Sequence, residues 1–205
     1  MTSDPITPGQ RSALAKLAPV VADVFYLAGG VAIAARLRHR QSRDLDLFSE
    51  TDPIDRQASL EQLVGLVVLS RSRGTLHLKL DDVPVTLLQY PYRVLRAPET
   101  VADLPISLAS VDDLVCMKLS AVAGRGLARD FWDLHELVAA DGRPLAMFLD
   151  AFRQKYPVED LGHVVRSLAY FGDAEAQPLP EGLALDHWKR IRASFEAWVG
   201  QYVGA

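Results

Sequence analysis

The stretch from Val24 to Phe48 constrains this chain more than any other. Val24-Phe25-Tyr26-Leu27 is a short apolar run with strand character. Two glycines follow at Gly29-Gly30, and Val31-Ala32-Ile33-Ala34-Ala35-Arg36-Leu37 reads as a helix. A basic turn, Arg38-His39-Arg40-Gln41-Ser42-Arg43, then leads into a second strand, Asp44 to Phe48. Strand side chains alternate between faces, so Asp44 and Asp46 share one face while Leu45 and Leu47 point toward a core. Two carboxylates on one face suit Mg²⁺, which keeps several waters and also takes phosphate oxygens. Glycines at a helix start let its free N–H groups come close to phosphate. Metal and amide donors together make an electrostatic clamp for phosphoryl chemistry. Asp-x-Asp alone is a common solvated turn, and Gly-Gly alone carries little. The order strand, Gly-Gly, helix, basic turn, Asp-x-Asp is what points to catalysis.

The surrounding pattern is mixed. Pro8 to Ala22 reads as a helix capped by Thr7, with Leu14, Leu17 and Val21 as its core stripe and Pro19 as a place for a bend. After Asp-x-Asp, a helix is expected over Ile54 to Leu63. Strands follow at Leu66–Arg71, Thr75–Leu80 and Val83–Gln89, with Asp81-Asp82 as a tight hairpin turn. Pro91, Pro98 and Pro105 mark a loop, and beyond it the period is helical. Ser110 caps a helix from Val111 to Ala123, and Gly124-Arg125-Gly126 interrupts it. Further helices are expected at Ala128–Ala139, Pro144–Gln154, Val158–Ala169 and Leu183–Val199, the last ended by Gly200. The fold class is α+β: a mixed β-sheet flanked by helices over 1–98, then a helical lobe over 99–205 that completes an active cleft.

A second constellation lies in that helical half. Lys118 sits among Leu114, Val115, Met117, Leu119 and Val122, so it either snorkels to water or has an anionic partner. Arg125 is seven residues on, nearly the same helix face if the helix persists. Arg129-Asp130-Phe131-Trp132-Asp133-Leu134 follows. These charges read either as a phosphate site or as a salt-bridge network joining two helices.

Composition removes several classes. The 205 residues can bury a core without staples, and the single Cys116 excludes an internal disulfide framework and fits a reducing cytosol. Cys116 falls in an apolar helical pattern and reads as core. Met1-Thr2-Ser3-Asp4-Pro5 is not a leader and no apolar run reaches membrane-span length, so the expected location is cytoplasmic. The formal charge is -4, which does not advertise nucleic-acid binding, yet Arg36, Arg38, Arg40 and Arg43 gather beside the Asp-x-Asp pair. No His-Glu-x-x-His or Cys/His spacing marks a zinc site, and His39 is balanced between a phosphate contact and a turn hydrogen bond. Phe131, Trp132, Phe148, Phe152 and Tyr156 recur at helical spacing and read as core.

The run LAGGVAIAARLRHRQSRDLDLF resembles the signature of the nucleotidyltransferase superfamily in its minimal AbiEii/AbiGii toxin-like branch. The second constellation is similar to that branch too: a lysine in the first helix after the sheet, then Arg-Gly, then Arg-Asp-x-x-Asp-Leu. The tail from Tyr156-Pro157 to Glu175 also matches, and the likeness runs from about Pro8 to Trp188. It implies a nucleotidyltransferase-like sheet and transfer of a nucleoside monophosphate from an NTP to an acceptor hydroxyl. It also implies an RNA or tRNA acceptor and a role as toxin beside a separate antitoxin. The residues it assigns are Asp44 and Asp46 to Mg²⁺, and Gly29, Gly30, Arg43, Lys118 and Arg125 to nucleotide phosphates. Asp130 falls in the active cleft as an orienting group or a base, and Asp133 pairs with Lys118 or Arg129. In the wider superfamily a third carboxylate follows on a later strand. Here Thr86 stands in its place, as in much of the branch, and a hydroxyl cannot supply that charge. Two alternatives stay open: a non-catalytic nucleotide-binding or regulatory module, and a small-molecule nucleotidyltransferase.

Overall fold

The computed structural model describes residues 4–204; Met1-Thr2-Ser3, read above for the absence of a leader, lie outside them. By its contacts the chain forms two compact units. One runs through Tyr92 and takes in Arg96–Ser110; the other holds Arg93–Leu95 and the chain from Val111 onward.

The first unit opens with α1 (Pro8–Val21). Its start is a full capping box. Thr7 Oγ1 accepts from Gln10 N at 3.2 Å and Gln10 Oε1 accepts from Thr7 N at 2.9 Å, so two otherwise orphan donors are satisfied. Ala13, Leu14, Leu17 and Val21 form the buried stripe. Pro19 is carried inside the helix. The sheet follows: β1 (Tyr26–Ala28), β2 (Leu45–Ser49), β3 (Leu66–Ser72), β4 (Thr75–Leu80) and β5 (Val83–Gln89), with α2 (Gly29–Leu37) between β1 and β2. Its order is β1-β2-β5-β4-β3. Among the strands of the described residues only β2 and β5 pair in parallel, so the sheet is mixed, as the sequence pattern predicts. Leu45, Leu47, Leu76, Leu78, Leu80, Val85 and Leu87 supply one buried face at period 2. The outer edge of β1 is covered by the loop, through Leu27 N–H to Ser107 O (2.8 Å) and Ala109 N–H to Leu27 O (2.9 Å). That removes an unpaired edge at the strand leading to Gly29.

The expected helix over Ile54–Leu63 is not continuous. Asp52 Oδ1 accepts from Ile54 N at 3.0 Å and starts a 3₁₀ turn, Pro53–Arg56, which passes into the single turn α3 (Gln57–Leu60). Leu60 alone of that turn is buried, so there is little apolar face to extend it.

The second unit is helical: α4 (Val111–Gly124), α5 (Ala128–Asp141), α6 (Leu145–Lys155), α7 (Gly162–Leu168), α8 (Gly172–Glu175) and α9 (Leu185–Val203). Phe131 is at its centre, with Phe171, Trp188 and Phe195 ring centroids 5.2, 6.0 and 5.3 Å away. The aromatics read as core are buried. Cys116 is buried as well, and burial pushes its thiol up to about 12, which makes it inert. Two helix limits differ from expectation. α7 begins at Gly162 rather than Val158, because Asp160 Oδ1 accepts from Gly162 N at 2.9 Å and sets the start there. Gly200 does not end α9; its carbonyl accepts from Gly204 N at 3.0 Å, and the glycine merely permits a stop without forcing one.

A buried ion pair explains why Arg93–Leu95 goes with this unit. Lys155 Nζ meets Asp113 Oδ1 at 2.6 Å and donates to Arg93 O at 2.8 Å, while Leu95 N donates to Asp113 Oδ1 at 3.1 Å.

The β4–β5 hairpin turns through Asp81 (φ 47°) and Asp82 (φ 68°), both left-handed, which is the type I′ pattern that favours glycine second. Asp82→Gly is expected to stabilise the chain by about 0.5–1 kcal/mol, since its exposed partner Lys79 contributes little. A urea unfolding midpoint that falls would contradict this account of the turn.

Candidate active site

In the first unit the site is built at the junction of β1, α2 and β2. Ala28 pairs directly with Asp46 across the antiparallel β1–β2 ladder. The next residue, Gly29, turns into α2 with φ +65°, and a Cβ there would stand 2.5 Å from Asp46 Oδ2 and 3.2 Å from Asp46 Cβ. Only a residue without a side chain leaves the carboxylate its place. A Cβ on Gly30 would meet Ser42 Oγ at 2.4 Å and Arg40 Nη2 at 2.8 Å, so the basic loop folds against the helix start. The diglycine therefore makes room for the protein's own carboxylate and loop.

The loop is also held from α1. The buried amide of Gln10 donates to Ser42 O at 2.7 Å and Arg43 O at 3.0 Å, fixing the backbone just ahead of Asp44. Gln10 already belongs to the capping box, so one side chain ties the first helix to the entry of β2. Asp44 and Arg43 are exposed and Asp46 is half-buried, while Leu45 and Leu47 are fully buried. Asp44 stands one residue before the strand proper.

Asp46 belongs to a row that crosses the sheet. It pairs with Thr86 on β5, and Thr86 pairs with His77 on β4. His77 Nδ1 lies 3.3 Å from Thr86 Oγ1. Adjacent strands are about 4.8 Å apart, so Thr86 is Asp46's immediate neighbour. Asp81 and Asp82 do not reach this row. They occupy the hairpin end, paired with Lys16 (2.5 Å) and Lys79 (2.6 Å), at least three residues, or roughly 10 Å, along the strand. Asp46, seated in the cradle that Gly29 leaves, and the exposed Asp44 two residues before it offer carboxylate oxygens, hard donors of the kind Mg²⁺ takes.

In the second unit, α4, α5 and the turn between them carry a quartet of charges around two buried carboxylates. Lys118 Nζ lies 3.0 Å from Asp130 Oδ1 and 2.8 Å from Asp133 Oδ2. Arg125 grips Asp130 with two bonds, Nε to Oδ2 at 2.7 Å and Nη2 to Oδ1 at 2.8 Å. Both aspartates are completely buried; Arg125 is about half exposed, its side chain at 54%. Lys118 therefore has partners and does not snorkel. The ammonium has three donors and these carboxylates take two. Burial pushes the Asp130 carboxyl up, but hydrogen bonds from Arg125 and the charges of Lys118 and Arg125 outweigh it, and the group is held below the usual carboxylate range. Such a carboxylate is a weak proton acceptor and a firm orienting group.

Sequence reasoning singled out Asp44, Asp46, Gly29, Gly30, Arg43, Lys118, Arg125 and Asp130. The structure brings Gly29, Gly30, Arg40, Ser42 and Asp46 together in the first unit, and Lys118, Arg125, Asp130 and Asp133 together in the second. It adds Gln10, whose only sequence signal was a capping position. It also adds His77, whose link to Thr86 depends on strand register.

A mixed sheet with this diglycine and Asp-x-Asp junction defines a nucleotidyltransferase scaffold. The family model for the nucleotidyl transferase AbiEii toxin of type IV toxin–antitoxin systems matches residues 12–68 and 66–201. The chain belongs to that family, and it is a nucleotidyltransferase. An uncharacterised protein of Aquifex aeolicus is 33% identical over 201 residues, covering 95% of this chain and 96% of its own. Among solved structures, MenT4, a nucleotidyltransferase toxin of Mycobacterium tuberculosis, matches with a TM-score of 0.59 at 16% identity, covering 93% of this chain and 81% of its own. JHP933 of Helicobacter pylori matches at 0.53 and 16% identity, over 93% and 89%. At those identities the two structures speak for the fold.

Gly29→Ala is expected to cost about 1–3 kcal/mol, from a strained φ and from displacement of Asp46. It should also weaken Mg²⁺ binding measured by calorimetry. Wild-type stability and metal affinity in this variant would remove the cradle from the argument.

The quartet predicts a pH dependence. A carboxyl lowered on folding contributes stability that is complete above its unfolded value near pH 4 and lost as pH falls through the folded value. Urea unfolding between pH 7 and pH 3 should show that acid loss, and Asp130→Asn should flatten it. The same variant should cost about 1–3 kcal/mol at pH 7 through lost charge-assisted hydrogen bonds, since Lys118 keeps Asp133 and Arg125 reaches solvent.

Proposed function

We propose that this chain is the toxin of a toxin–antitoxin pair, acting in the cytoplasm beside a separate antitoxin protein. Its reaction is Mg²⁺-dependent transfer of a nucleoside monophosphate from an NTP to a hydroxyl of RNA, with tRNA as the favoured acceptor. The observation that carries this reading is the approach of position 29 to Asp46: the backbone gives up a side chain to seat a carboxylate at a helix start. A structural turn needs no such sacrifice.

Asp44 and Asp46 are the residues that would hold Mg²⁺. Bound there, the ion would draw charge from phosphate oxygens and make the α-phosphorus more electrophilic. The N–H groups at the start of α2 face the phosphates, favoured by the helix dipole. Arg43 and Arg125 offset charge on the triphosphate, and Lys118 neutralises charge building on the leaving pyrophosphate. Asp130 orients Lys118 and Arg125. The acceptor hydroxyl gives up its proton to solvent water as its oxygen forms the bond to the α-phosphorus, in line with the breaking α–β bridge, and pyrophosphate leaves. The work is positioning and electrostatics.

Incubation with each α-labelled NTP, Mg²⁺ and total RNA should label RNA, with most label at tRNA size. Asp46→Asn, checked for folding by circular dichroism, should lower transfer by about 10²-fold or more. Equal transfer by the variant sinks the assignment. Label confined to small molecules transfers the case to a small-molecule acceptor.

A further inference from the structure

A cluster on the outer side of α5 has no part in the scheme above. His135 Nδ1 lies 3.1 Å from Glu136 Oε1, and His187 Nε2, on α9, lies 3.1 Å from the same oxygen. The three atoms all fall within 4.8 Å of one another. The side chains are 15%, 25% and 30% exposed, so the group is recessed but reachable from solvent.

A hydrogen-bond chain backs the cluster. Ser194 Oγ donates to Arg190 O at 3.0 Å and lies 3.3 Å from His135 Nε2, so the second nitrogen of that ring has a hydroxyl partner. Nδ1 of His135 and Nε2 of His187 converge on one carboxylate oxygen, an arrangement that a single metal ion satisfies for all three groups at once.

We propose that His135, Glu136 and His187 bind a transition-metal ion of the Zn²⁺ class, clipping α9 to α5. Tetrahedral zinc with bonds of about 2.0–2.1 Å sets its ligands roughly 3.3 Å apart, close to two of the three spacings here. Two imidazoles and one carboxylate are borderline donors that favour zinc and its neighbours over the oxygen-seeking Mg²⁺. Ser194 is the outer partner that orients a ligating imidazole through its second nitrogen. Water completes the fourth position. The ring of Trp198 stacks on His135 at 5.5 Å and 22°, and Trp132 meets His187 edge-on at 6.1 Å, so the walls are aromatic. The clip pins the helix whose first turns carry Asp130 and Asp133. Sequence scanning missed it because only His135-Glu136 is contiguous, and His187 arrives from another helix.

Zinc titration of the full chain, with Mg²⁺ in excess, should show one saturable site by calorimetry and a change in tryptophan fluorescence. Zinc at about 100 times its Kd should raise Tm by roughly 5–10 °C. Co²⁺ in its place should give the visible bands of a tetrahedral site. His187→Gln, partly exposed and so tolerant of change, should weaken binding at least tenfold, more than loss of an outer partner typically does. Glu136→Gln should do likewise, and His163→Ala, which removes an exposed histidine elsewhere on the unit, should leave it unchanged. No saturable zinc site in the wild type, or wild-type binding by His187→Gln, overturns the proposal. Neither result bears on nucleotidyl transfer, which rests on other residues.

Discussion

The first unit depends on a contact that any side chain at position 29 would forbid. β1 must end beside Asp46, because Ala28 is its partner in the ladder, and the chain must turn at once into α2. A residue with a Cβ would push against the carboxylate oxygen. Neighbouring features serve the same junction. The loop segment Ser107–Ala109 closes the far edge of β1, and Gln10 holds the chain ahead of Asp44. Arg36 donates to Ala109 O at 2.8 Å and meets Glu99 at 2.8 Å, so α2 is tied to the same loop. The strand that carries this half-buried carboxylate is thus held by backbone pairing on both sides, to β1 and to β5.

The helical unit uses a different device. Lys118, Arg125, Asp130 and Asp133 sum to zero charge, as do Lys155 and Asp113. Taking such groups out of water is expensive, and pairing offsets the cost without making it a large gain. An apolar replacement of equal volume would serve stability as well or better. Retention of two balanced, buried clusters in one small unit is therefore better explained by geometry than by stability. Asp130 shows how: three hydrogen bonds from two cations leave its carboxylate one orientation, and they fix Lys118 and Arg125 in return.

Much of this was legible in the sequence, and the reasons are local. Thr7-Pro8-x-Gln10 writes a helix start, alternation over Thr75–Leu80 writes a strand, and Asp81-Asp82 writes a turn. The order of motifs around Gly29 and Asp46 carried the reaction class. What was not legible is long-range. The pairing of Thr86 with both Asp46 and His77 depends on one parallel and one antiparallel ladder, and no local pattern encodes that. Lys155 with Asp113 spans 42 positions, and no local pattern joins them. The Ile54–Leu63 segment misled because its apolar spacing is helical while only Leu60 finds a core to enter. Lys118 was readable as a question, partner or snorkel, and the register of α4 against α5 answers it.

Charge gives the last step. The whole chain carries -4, a net charge that repels a nucleotide or RNA. The potential near the diglycine is set by closer groups. Arg40 and Arg43 contribute +2 against -2 from Asp44 and Asp46, a local balance that one divalent ion raises to +2. At physiological salt the screening length is about 8 Å, so charges beyond the loop hardly count there. An acidic protein can therefore hold a polyanion at one basic turn, provided the turn is pinned. Gln10, through Ser42 and Arg43, and Gly30, by yielding space to Arg40 and Ser42, do that pinning.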